Sequence, residues 1–504
     1  MPQPRPLQRR PLRRGALTLA TGVALALGSC LLSVLPAQAA TATAAGATAP
    51  SGKHLHDDYN GDGFPDVAIG APDTALGARR NAGAITVLYG SAKGLSKSGR
   101  QVLTWSSRTS AASPQTKYGS TLRSADLDQD GYADLLSTVS WTPPGGRAGT
   151  AIVVDWGGPK GLSAEPTLLP SAPDGPPVED FAVADVDGDG HPDVVQVGIR
   201  TTATPQDGSV LHGPFTRTAS AGSRTTYFDV DPDRYLWSRS LAAGDVNGDG
   251  IADIAVRTSD PEEPDSRGVA LLLGGRDGFT RKGELKDTQG HRVGGEEVAI
   301  GDLNKDHYAD IVVGHHDDRY DSDLELPTVG GAVAVVYGGA AGTSTTLKPV
   351  WINQDTPGVP GAGERGDGMG TGVSIGDTDG DGYADVATGV PGETYDGIAR
   401  AGTVLVLRGG AKGLTGTGAR SFGQNTSGVP GVAEKDDRFG TSTALVDADG
   451  DRKAEFVVGD PAENGSDGAV WVFPGTSATG SFSFGAATVG LPASKSGFGA
   501  TLGG

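Results

Sequence analysis

Short apolar runs recur along the whole chain, and glycine and acidic residues separate them. Residues 67–69, 254–256 and 311–313 are Val/Ile/Ala runs, and each is followed later by a second run that opens on glycine, as in residues 83–90 and 331–338. Short β-branched and aromatic runs bounded by turn residues are typical of buried strands. The pattern therefore predicts an all-β chain of many short strands.

An acidic nine-residue pattern precedes the first run of each unit. Its clearest copy has acids at positions 1, 3, 5 and 9 and a glycine at position 6, namely Asp377, Asp379, Asp381, Asp385 and Gly382. Ca²⁺ takes about six to eight hard oxygen ligands, and acids at alternate positions of a tight turn can point at one centre. The backbone carbonyl of position 7 would add another oxygen. The pattern predicts a calcium loop shorter than that of an EF-hand.

This acidic loop occurs seven times, and we number the copies 1 to 7. They start at Asp58, Asp126, Asp185, Asp245, Asp302, Asp377 and Asp447. Repeats of this size indicate a propeller, a solenoid or an array, and four short antiparallel strands make one propeller blade. Seven loops therefore predict a seven-bladed β-propeller. The alternative is that the loops are ordinary β-turns.

The predicted metal ligands are positions 1, 3, 5, 7 and 9 of each loop, with position 7 contributing its backbone oxygen. They are Asp58, Asn60, Asp62, Phe64, Asp66, Asp126, Asp128, Asp130, Tyr132, Asp134, Asp185, Asp187, Asp189, His191, Asp193, Asp245, Asn247, Asp249, Ile251, Asp253, Asp302, Asn304, Asp306, Tyr308, Asp310, Asp377, Asp379, Asp381, Tyr383, Asp385, Asp447, Asp449, Asp451, Lys453 and Glu455.

A bulky residue followed by glycine stands eight residues before the first Asp of several loops. Examples are Tyr118, Met369 and Phe439. Residues 498–504 repeat this Phe-Gly segment, whereas almost no strand precedes Asp58. We therefore expect residues 498–504 to complete the first blade and to close the ring, which removes two open sheet edges.

Composition and charge narrow the function classes. The 504 residues include 81 Gly without a three-residue period, which excludes collagen and favours strands joined by turns. The formal net charge is −20, and the acidic residues of the seven loops alone outnumber the net negative charges. Because no basic stripe is present, we expect no nucleic-acid partner.

Residues 1–39 have the pattern of a secretory signal peptide. A basic segment, residues 5–14, precedes an apolar run, residues 16–35, and cleavage is expected near Ala39. The alternatives are an N-terminal membrane anchor, twin-arginine export and a lipid anchor at Cys30. The apolar run continues past Cys30, which argues against the lipid anchor.

The mature chain is expected to be secreted. Residues 40–54 are rich in Ala, Thr and Gly and are predicted to be a flexible linker before a propeller that spans residues 55–504. No later stretch is apolar and long enough for a transmembrane segment. Cys30 is the one cysteine and lies in the leader, so the mature chain would have no disulfide.

The Phe-Gly segment, the acidic loop and the Gly-Ala-Pro of residues 70–72 together resemble FG-GAP repeats. These repeats build the seven-bladed propeller of integrin α-subunits and of many secreted bacterial proteins. The resemblance covers roughly residues 55–504. It implies up to seven Ca²⁺ ions on one face and ligand recognition on the other. The integrin leg domains are absent, so heterodimer signalling is not implied.

Some units depart from the family pattern. Residues 185–225 show no clear second strand. His307 and Arg452 replace the glycine at position 6 of loops 5 and 7, where a positive φ is expected. Because such a φ is costly for these residues, loops 5 and 7 are expected to bind Ca²⁺ more weakly or not at all.

Other chemistry-bearing motifs are interpreted as background. Gly-x-Ser-x-Gly around Ser374 lies on an expected strand, without the strand–turn–helix of a nucleophile elbow. The Arg-Gly-Asp of residues 365–367 belongs to a segment that recurs without the tripeptide. The run 315–318, His-His-Asp-Asp, could bind a transition metal, but its spacing is not diagnostic.

The favoured hypothesis is a secreted, calcium-binding, non-catalytic module with an adhesion-like role. Its partner would be an extracellular protein or carbohydrate, bound on the face opposite the acidic loops, where long connections are expected. Those connections are residues 73–82, 317–330, 355–368, 393–401 and 425–438. The alternatives are an extracellular hydrolase of phospholipase type, with the histidine run as its candidate centre, and a cell-surface structural component.

Overall fold

The computed structural model describes residues 55–105, 116–141, 149–169, 175–199, 204–217, 224–234, 236–260, 262, 266–318 and 329–503. The predicted signal peptide and linker lie outside the described residues and stay predictions. None of the helical segments in the described ranges is long and apolar enough to cross a membrane.

Twenty-eight strands form seven four-stranded antiparallel sheets within these residues. The strands, grouped by blade, are β1 (Val67–Ala71), β2 (Ala84–Leu88), β3 (Arg100–Thr104) with β28 (Thr501–Gly503); β4 (Leu122–Ala125), β5 (Asp134–Trp141), β6 (Gly149–Asp155), β7 (Thr167–Leu169); β8 (Val178–Ala184), β9 (Asp193–Gly198), β10 (Gly208–His212), β11 (Arg224–Phe228); β12 (Trp237–Gly244), β13 (Asp253–Ser259), β14 (Arg267–Leu273), β15 (Thr280–Glu284); β16 (Glu297–Gly301), β17 (Asp310–His315), β18 (Ala332–Val336), β19 (Val350–Ile352); β20 (Thr371–Gly376), β21 (Asp385–Val390), β22 (Thr403–Arg408), β23 (Thr415–Phe422); and β24 (Ser442–Val446), β25 (Glu455–Asp460), β26 (Ala469–Phe473), β27 (Phe482–Gly485).

The described chain is thus an all-β, seven-bladed propeller, as the repeat predicts. The strands β28, β4, β8, β12, β16, β20 and β24 contact one another in succession around the central axis. The second strands lie between two neighbouring blades, and β9, β17 and β21 are buried at every residue. Burial on both faces explains why these strands are continuous apolar runs rather than alternating ones.

The core is divided into seven apolar clusters, one at each junction between neighbouring blades. At the junction of the last and first blades, Val67 and Ile69 pack with Val470, Val472 and Phe484. A fully buried side chain of this size contributes about 1.5–3 kcal/mol. Each blade therefore depends on both neighbours for its apolar burial.

The ring closes as the sequence predicts. Strand β28 pairs antiparallel with β1, with Thr501 opposite Gly70 and Gly503 opposite Ala68. The preceding Phe498 is fully buried in the cluster between the last and first blades. The sheet of the first blade is therefore assembled from both ends of the described chain.

The Phe-Gly segments have one structural role, which is to dock one blade on the glycine that opens the third strand of the previous blade. Gly83 bridges to Tyr118, and Gly468 bridges to Phe498 in the same way. At Gly83 φ is +81°, and an added Cβ would lie 2.2 Å from the backbone nitrogen of Tyr118. Glycine is required because the two backbones touch.

The expectation that residues 185–225 lack a clear second strand is wrong. Strand β10 (Gly208–His212) pairs with both β9 and β11 and is buried throughout. Its sequence contains only two apolar residues, Val210 and Leu211, whereas Ser209 and His212 are buried polar residues. The apolar run is therefore too short to be recognised from the sequence.

Candidate metal centres

All seven acidic loops lie on one face of the ring. In six blades the loop connects the innermost strand to the second strand, and loop 1 leads into β1. All 35 predicted ligand residues fall within the described ranges, each in its own loop. The fold therefore places the predicted residues as seven separate clusters.

The first Asp of each loop closes a tight turn. In loop 1, Asp58 accepts hydrogen bonds from the backbone amides of Gly61 at 2.7 Å and Gly63 at 2.8 Å. The amide of position 6 donates to this Asp in every loop, at 2.7–3.1 Å. The turn thus gathers the backbone around the first carboxylate.

Position 6 has a positive φ in all seven loops, as predicted. The value is +71° at His307 and +73° at Arg452, beside +91° at Gly63. Two non-glycine residues therefore adopt the left-handed conformation, which disfavours them relative to glycine. The expected weaker metal binding by loops 5 and 7 stays a prediction.

The middle of the loop is also uniform. The carboxylate of position 5 accepts the amide of position 7 in all seven copies, at 2.8–3.2 Å. At position 3, Asn60 accepts the amide of Asp62 at 2.8 Å. These contacts fix side chains that carry further lone pairs, so each retains acceptor capacity for a cation.

The ninth residue is the buried anchor of each loop. In loop 1, one oxygen of Asp66 accepts the amide of Tyr59 at 2.9 Å and the other accepts that of Gly90 at 2.8 Å. The bond to position 2 recurs in every loop at 2.7–3.1 Å. The anchor joins the loop to the end of the next strand, so the loop and the blade support each other.

Burial makes the charge of this anchor costly. It raises the pKa of Asp66 and Asp134 to about 8, that of Glu455 to about 8, that of Asp310 to about 7 and that of Asp253 to about 6. Neighbouring loop carboxylates raise these pKa values further. A buried carboxylate beside other carboxylates is stabilised by a bound cation or by a proton.

The residues fit a hard divalent cation. In loops 2, 3 and 6, three carboxylates offer oxygens within 4.8 Å of one another, as in Asp126, Asp128 and Asp134. Buried oxygens of Asp128 and Asp447 have no hydrogen-bond partner. Clustered carboxylate oxygens are the ligands that Ca²⁺ prefers. The acidic groups could therefore hold a metal.

Three loops are contacted by cationic side chains that the repeat pattern does not predict. Arg217 pairs with Asp128 at 2.7 Å and also with Asp130 in loop 2. Arg408 lies 2.6 Å from Asp385 and 3.3 Å from Asp379 in loop 6.

Loop 3 has both a histidine and an arginine. His212 Nδ1 lies 3.0 Å from Asp187, and Arg224 lies 2.6 Å from the same carboxylate. In the part of the chain that the structure describes, no side chain forms an ion pair with the acids of loops 1, 4, 5 or 7. The seven loops are therefore electrostatically unequal.

The other motifs have structural surroundings. Ser374 lies on β20 and its hydroxyl bonds Thr443 Oγ1 at 2.8 Å. Within the Arg-Gly-Asp tripeptide, Asp367 is only 2% exposed, so the carboxylate is not presented at the surface. His315 is buried and its Nδ1–H donates to the carbonyl of Gly294 at 3.0 Å. The His-His-Asp-Asp run therefore does not present two exposed imidazoles.

Comparison with protein families identifies the repeat. The FG-GAP repeat family matches residues 56–88, 369–407 and 439–473, and the FG-GAP-like repeat family matches residues 126–195 and 245–313. These segments contain all seven acidic loops in full. The protein is an FG-GAP repeat β-propeller.

Curated relatives match about a quarter of this FG-GAP propeller. Human integrin alpha-6 is 38% identical over 120 residues, which are 24% of this chain and 9% of the integrin. Rat phosphatidylinositol-glycan-specific phospholipase D is 30% identical over 115 residues, 23% of this chain and 13% of the enzyme. The chain thus matches about a tenth of the length of these relatives.

Among solved structures, the V. cholerae biofilm matrix protein Bap1 aligns over 80% of this chain and 83% of its own, at 13% identity and a TM-score of 0.31. That score is too low to bear on function.

Proposed function

We propose that the FG-GAP propeller is a secreted, non-catalytic binding module whose acidic loops hold structural Ca²⁺ and whose opposite face recognises an extracellular protein or carbohydrate. The observation that carries the proposal is the division of the ring into two faces. One face has seven carboxylate loops locked by repeated backbone hydrogen bonds, and the other has the long connections. Likeness to an integrin α chain over the repeats supports this division, as an analogy of fold.

Calcium would act on stability rather than on chemistry. It would neutralise clustered carboxylates, of which one or two are buried in each loop, and it would fix the loop that joins the two inner strands of each blade. Loops 1, 4, 5 and 7 are the favoured sites, because loops 2, 3 and 6 already have cationic side chains on their carboxylates. Among these four, loops 5 and 7 are expected to bind more weakly than loops 1 and 4, because a residue other than glycine stands at position 6.

Exchange of Arg408 for glutamine tests this ranking. Removing the guanidinium frees Asp379 and Asp385, so the calcium affinity of loop 6 is expected to rise about tenfold or more, because a like charge no longer competes with the ion. The measurement is a calorimetric calcium titration of both proteins. Arg420→Gln is the matched control, since Arg420 lies on β23 and bonds only the carbonyl of Thr476 among the contacts described. Equal affinity in the R408Q and R420Q variants would contradict the ranking.

The opposite face offers a defined apolar contact. Val432 lies in the connection 425–438 and is 68% exposed, and it is the one large exposed hydrophobic side chain of the described residues. The turn that carries it is held by hydrogen bonds from Ala433 to Asn425 and from Val429 to Thr426. An exposed apolar side chain on a hydrogen-bonded turn offers contact area that a partner would bury.

Val432→Glu is therefore expected to weaken ligand binding tenfold or more, since a central contact contributes about 1–2 kcal/mol or more. Binding would be measured on immobilised glycans and extracellular-matrix proteins, with the same chain unfolded as background. Ala411→Glu adds the same charge to an exposed turn on the acidic-loop face and is the matched control. If A411E abolishes binding and V432E does not, the assignment of faces is reversed.

A further inference from the structure

A second carboxylate cluster lies between the last two blades, on the face opposite the acidic loops. Gln424 follows β23, Asp437 precedes β24, Asp460 ends β25 and Glu463 begins the short helical turn α1 (Glu463–Ser466). All four side chains are buried, with 1%, 3%, 0% and 9% exposure. Asp460 is at the opposite end of its strand from Glu455 of loop 7, so this cluster is separate from the acidic loops.

Its hydrogen bonds leave two buried acceptor oxygens. One oxygen of Asp460 accepts the amides of Ala462 at 3.0 Å and Glu463 at 2.8 Å, whereas its Oδ2 has no partner. Gln424 Nε2 donates to Glu463 Oε2 at 2.7 Å, and its Oε1 also has no partner. Both oxygens are buried acceptors that no donor of the described residues reaches, and a cation or a water would satisfy them. Gln354 Oε1, in the equivalent place one blade earlier, is unpartnered in the same way, so the oxygen that is particular to this cluster is Asp460 Oδ2.

The cluster also lacks a countercharge. Within the described ranges, Asp437, Asp460 and Glu463 form no ion pair with Lys, Arg or His. Burial raises the pKa of Asp460 to about 9 and that of Glu463 to about 7, and the neighbouring carboxylates add to both increases. Three buried carboxyl groups cannot all be ionised together unless a cation lies among them.

We propose that Gln424, Asp437, Asp460 and Glu463 form a binding site for one hard divalent cation, of which Ca²⁺ is the natural probe. Three carboxylates and one amide oxygen supply hard donors in the number and charge that Ca²⁺ takes from proteins, and water can complete the shell. The site would fasten the connection 425–438, which contains Val432, to the end of β25. It does not depend on calcium in the acidic loops.

The preceding junction contains the same arrangement with one ligand missing. Gln354 Nε2 donates to Glu393 Oε2 at 2.5 Å, as Gln424 does to Glu463. Asp367 accepts the amide of Glu364 at 2.6 Å, as Asp437 accepts that of Glu434 at 2.5 Å. The residue that corresponds to Asp460 is Val390, also at the end of its strand. Valine is therefore compatible with this position of a blade, and its presence removes the carboxylate that Asp460 provides.

The test is a count of bound Ca²⁺ by equilibrium dialysis of the full chain and of two variants, Asp460→Val and Glu463→Gln. Each variant is expected to bind one ion fewer than the parent, with the remaining sites unchanged. An unchanged count in folded D460V and E463Q protein would overturn the proposal and would mean that protons alone neutralise the cluster. Val390→Leu, at the matched position of the preceding junction, is the control and should keep the full count.

A spectroscopic measurement locates the lost ion. Trp471 and Gln424 are neighbours, because a Cβ added to Gly431 would lie 3.6 Å from the Trp471 ring and 3.8 Å from Gln424 Nε2. Terbium bound at the cluster should therefore be sensitised by Trp471, and this emission should be lost in both D460V and W471F, whereas W471F should keep the calcium count. Emission that survives in folded D460V would place the ion elsewhere. The two proposals fail separately. If the parent binds one ion and D460V binds none, the acidic loops hold no calcium and their proposed role is refuted, whereas this site stands.

Discussion

Metal-free protein is expected to melt about 10 °C below the calcium-bound protein at pH 8. A ligand present at a hundredfold excess over its Kd stabilises the folded state by about 2.7 kcal/mol per site, so four loops give about 11 kcal/mol. For a domain of roughly 450 residues, an unfolding entropy of about 2.1 cal/mol/K per residue converts this to about 11 °C. The measurement is calorimetric melting of dialysed protein with and without Ca²⁺.

The calcium effect should depend on pH, with a sign set by the buried ninth-position acids. Burial raises the pKa of Asp66 to about 8 and that of Asp310 to about 7 in the folded, metal-free chain. The folded state then holds these protons more tightly than the unfolded state, so this contribution is full below pH 4 and is lost as the pH rises to about 8. Calcium replaces the protons at high pH.

The difference in melting temperature between the two forms is therefore expected to grow from pH 5 to pH 8. Mg²⁺ at the same concentration is the control, since it accepts this ligand set less readily. A calcium effect that is equal at both pH values, or absent at both, would show that the ninth-position carboxylates are not metal ligands.

Replacement of Phe498 by alanine is expected to cost about 3–5 kcal/mol of unfolding free energy. The ring is fully buried, packs edge-on against Phe484 at 5.5 Å, and stands beside the contact of its own backbone with Gly468. Its loss leaves a cavity at the junction that β28 closes, so the first and last blades lose a shared support.

Urea unfolding followed by fluorescence measures this effect. Val432→Ala is the control, because a mostly exposed valine should change stability by less than about 0.5 kcal/mol. A similar midpoint for F498A and V432A would mean that ring closure does not limit stability. A decrease in the m-value of F498A would indicate that the junction opens before the remaining blades.

The local repeat made most of this fold predictable. Residues 447–455 contain the loop, its turn and the start of β25 in one short segment. The position of Phe498 is predictable because Phe439 has the same role one blade earlier. In contrast, β10 was missed, since Ser209 and His212 interrupt its apolar run. Prediction of a buried strand from sequence depends on a run of apolar side chains, whereas in the structure two neighbouring blades bury β10 although it has few of them.

The unpredicted parts of the site come from distant residues. Arg217 contacts Asp128 although it lies 89 positions away in the chain, and the spacing of residues in loop 2 does not predict this ion pair. Arg408 occupies a strand end that is tyrosine in other blades, such as Tyr89 and Tyr337, so only an alignment of the blades reveals the exchange. We propose that tertiary contacts of this kind decide which loops favour a metal.

Calcium binding by the acidic loops is tested most directly by a crystal structure grown in Ca²⁺, with an anomalous difference map that locates each ion. We expect peaks among the carboxylates of loops 1, 4, 5 and 7, which start at Asp58, Asp245, Asp302 and Asp447, with the lower occupancies in loops 5 and 7. A well-ordered propeller with no peak in any acidic loop would contradict this expectation.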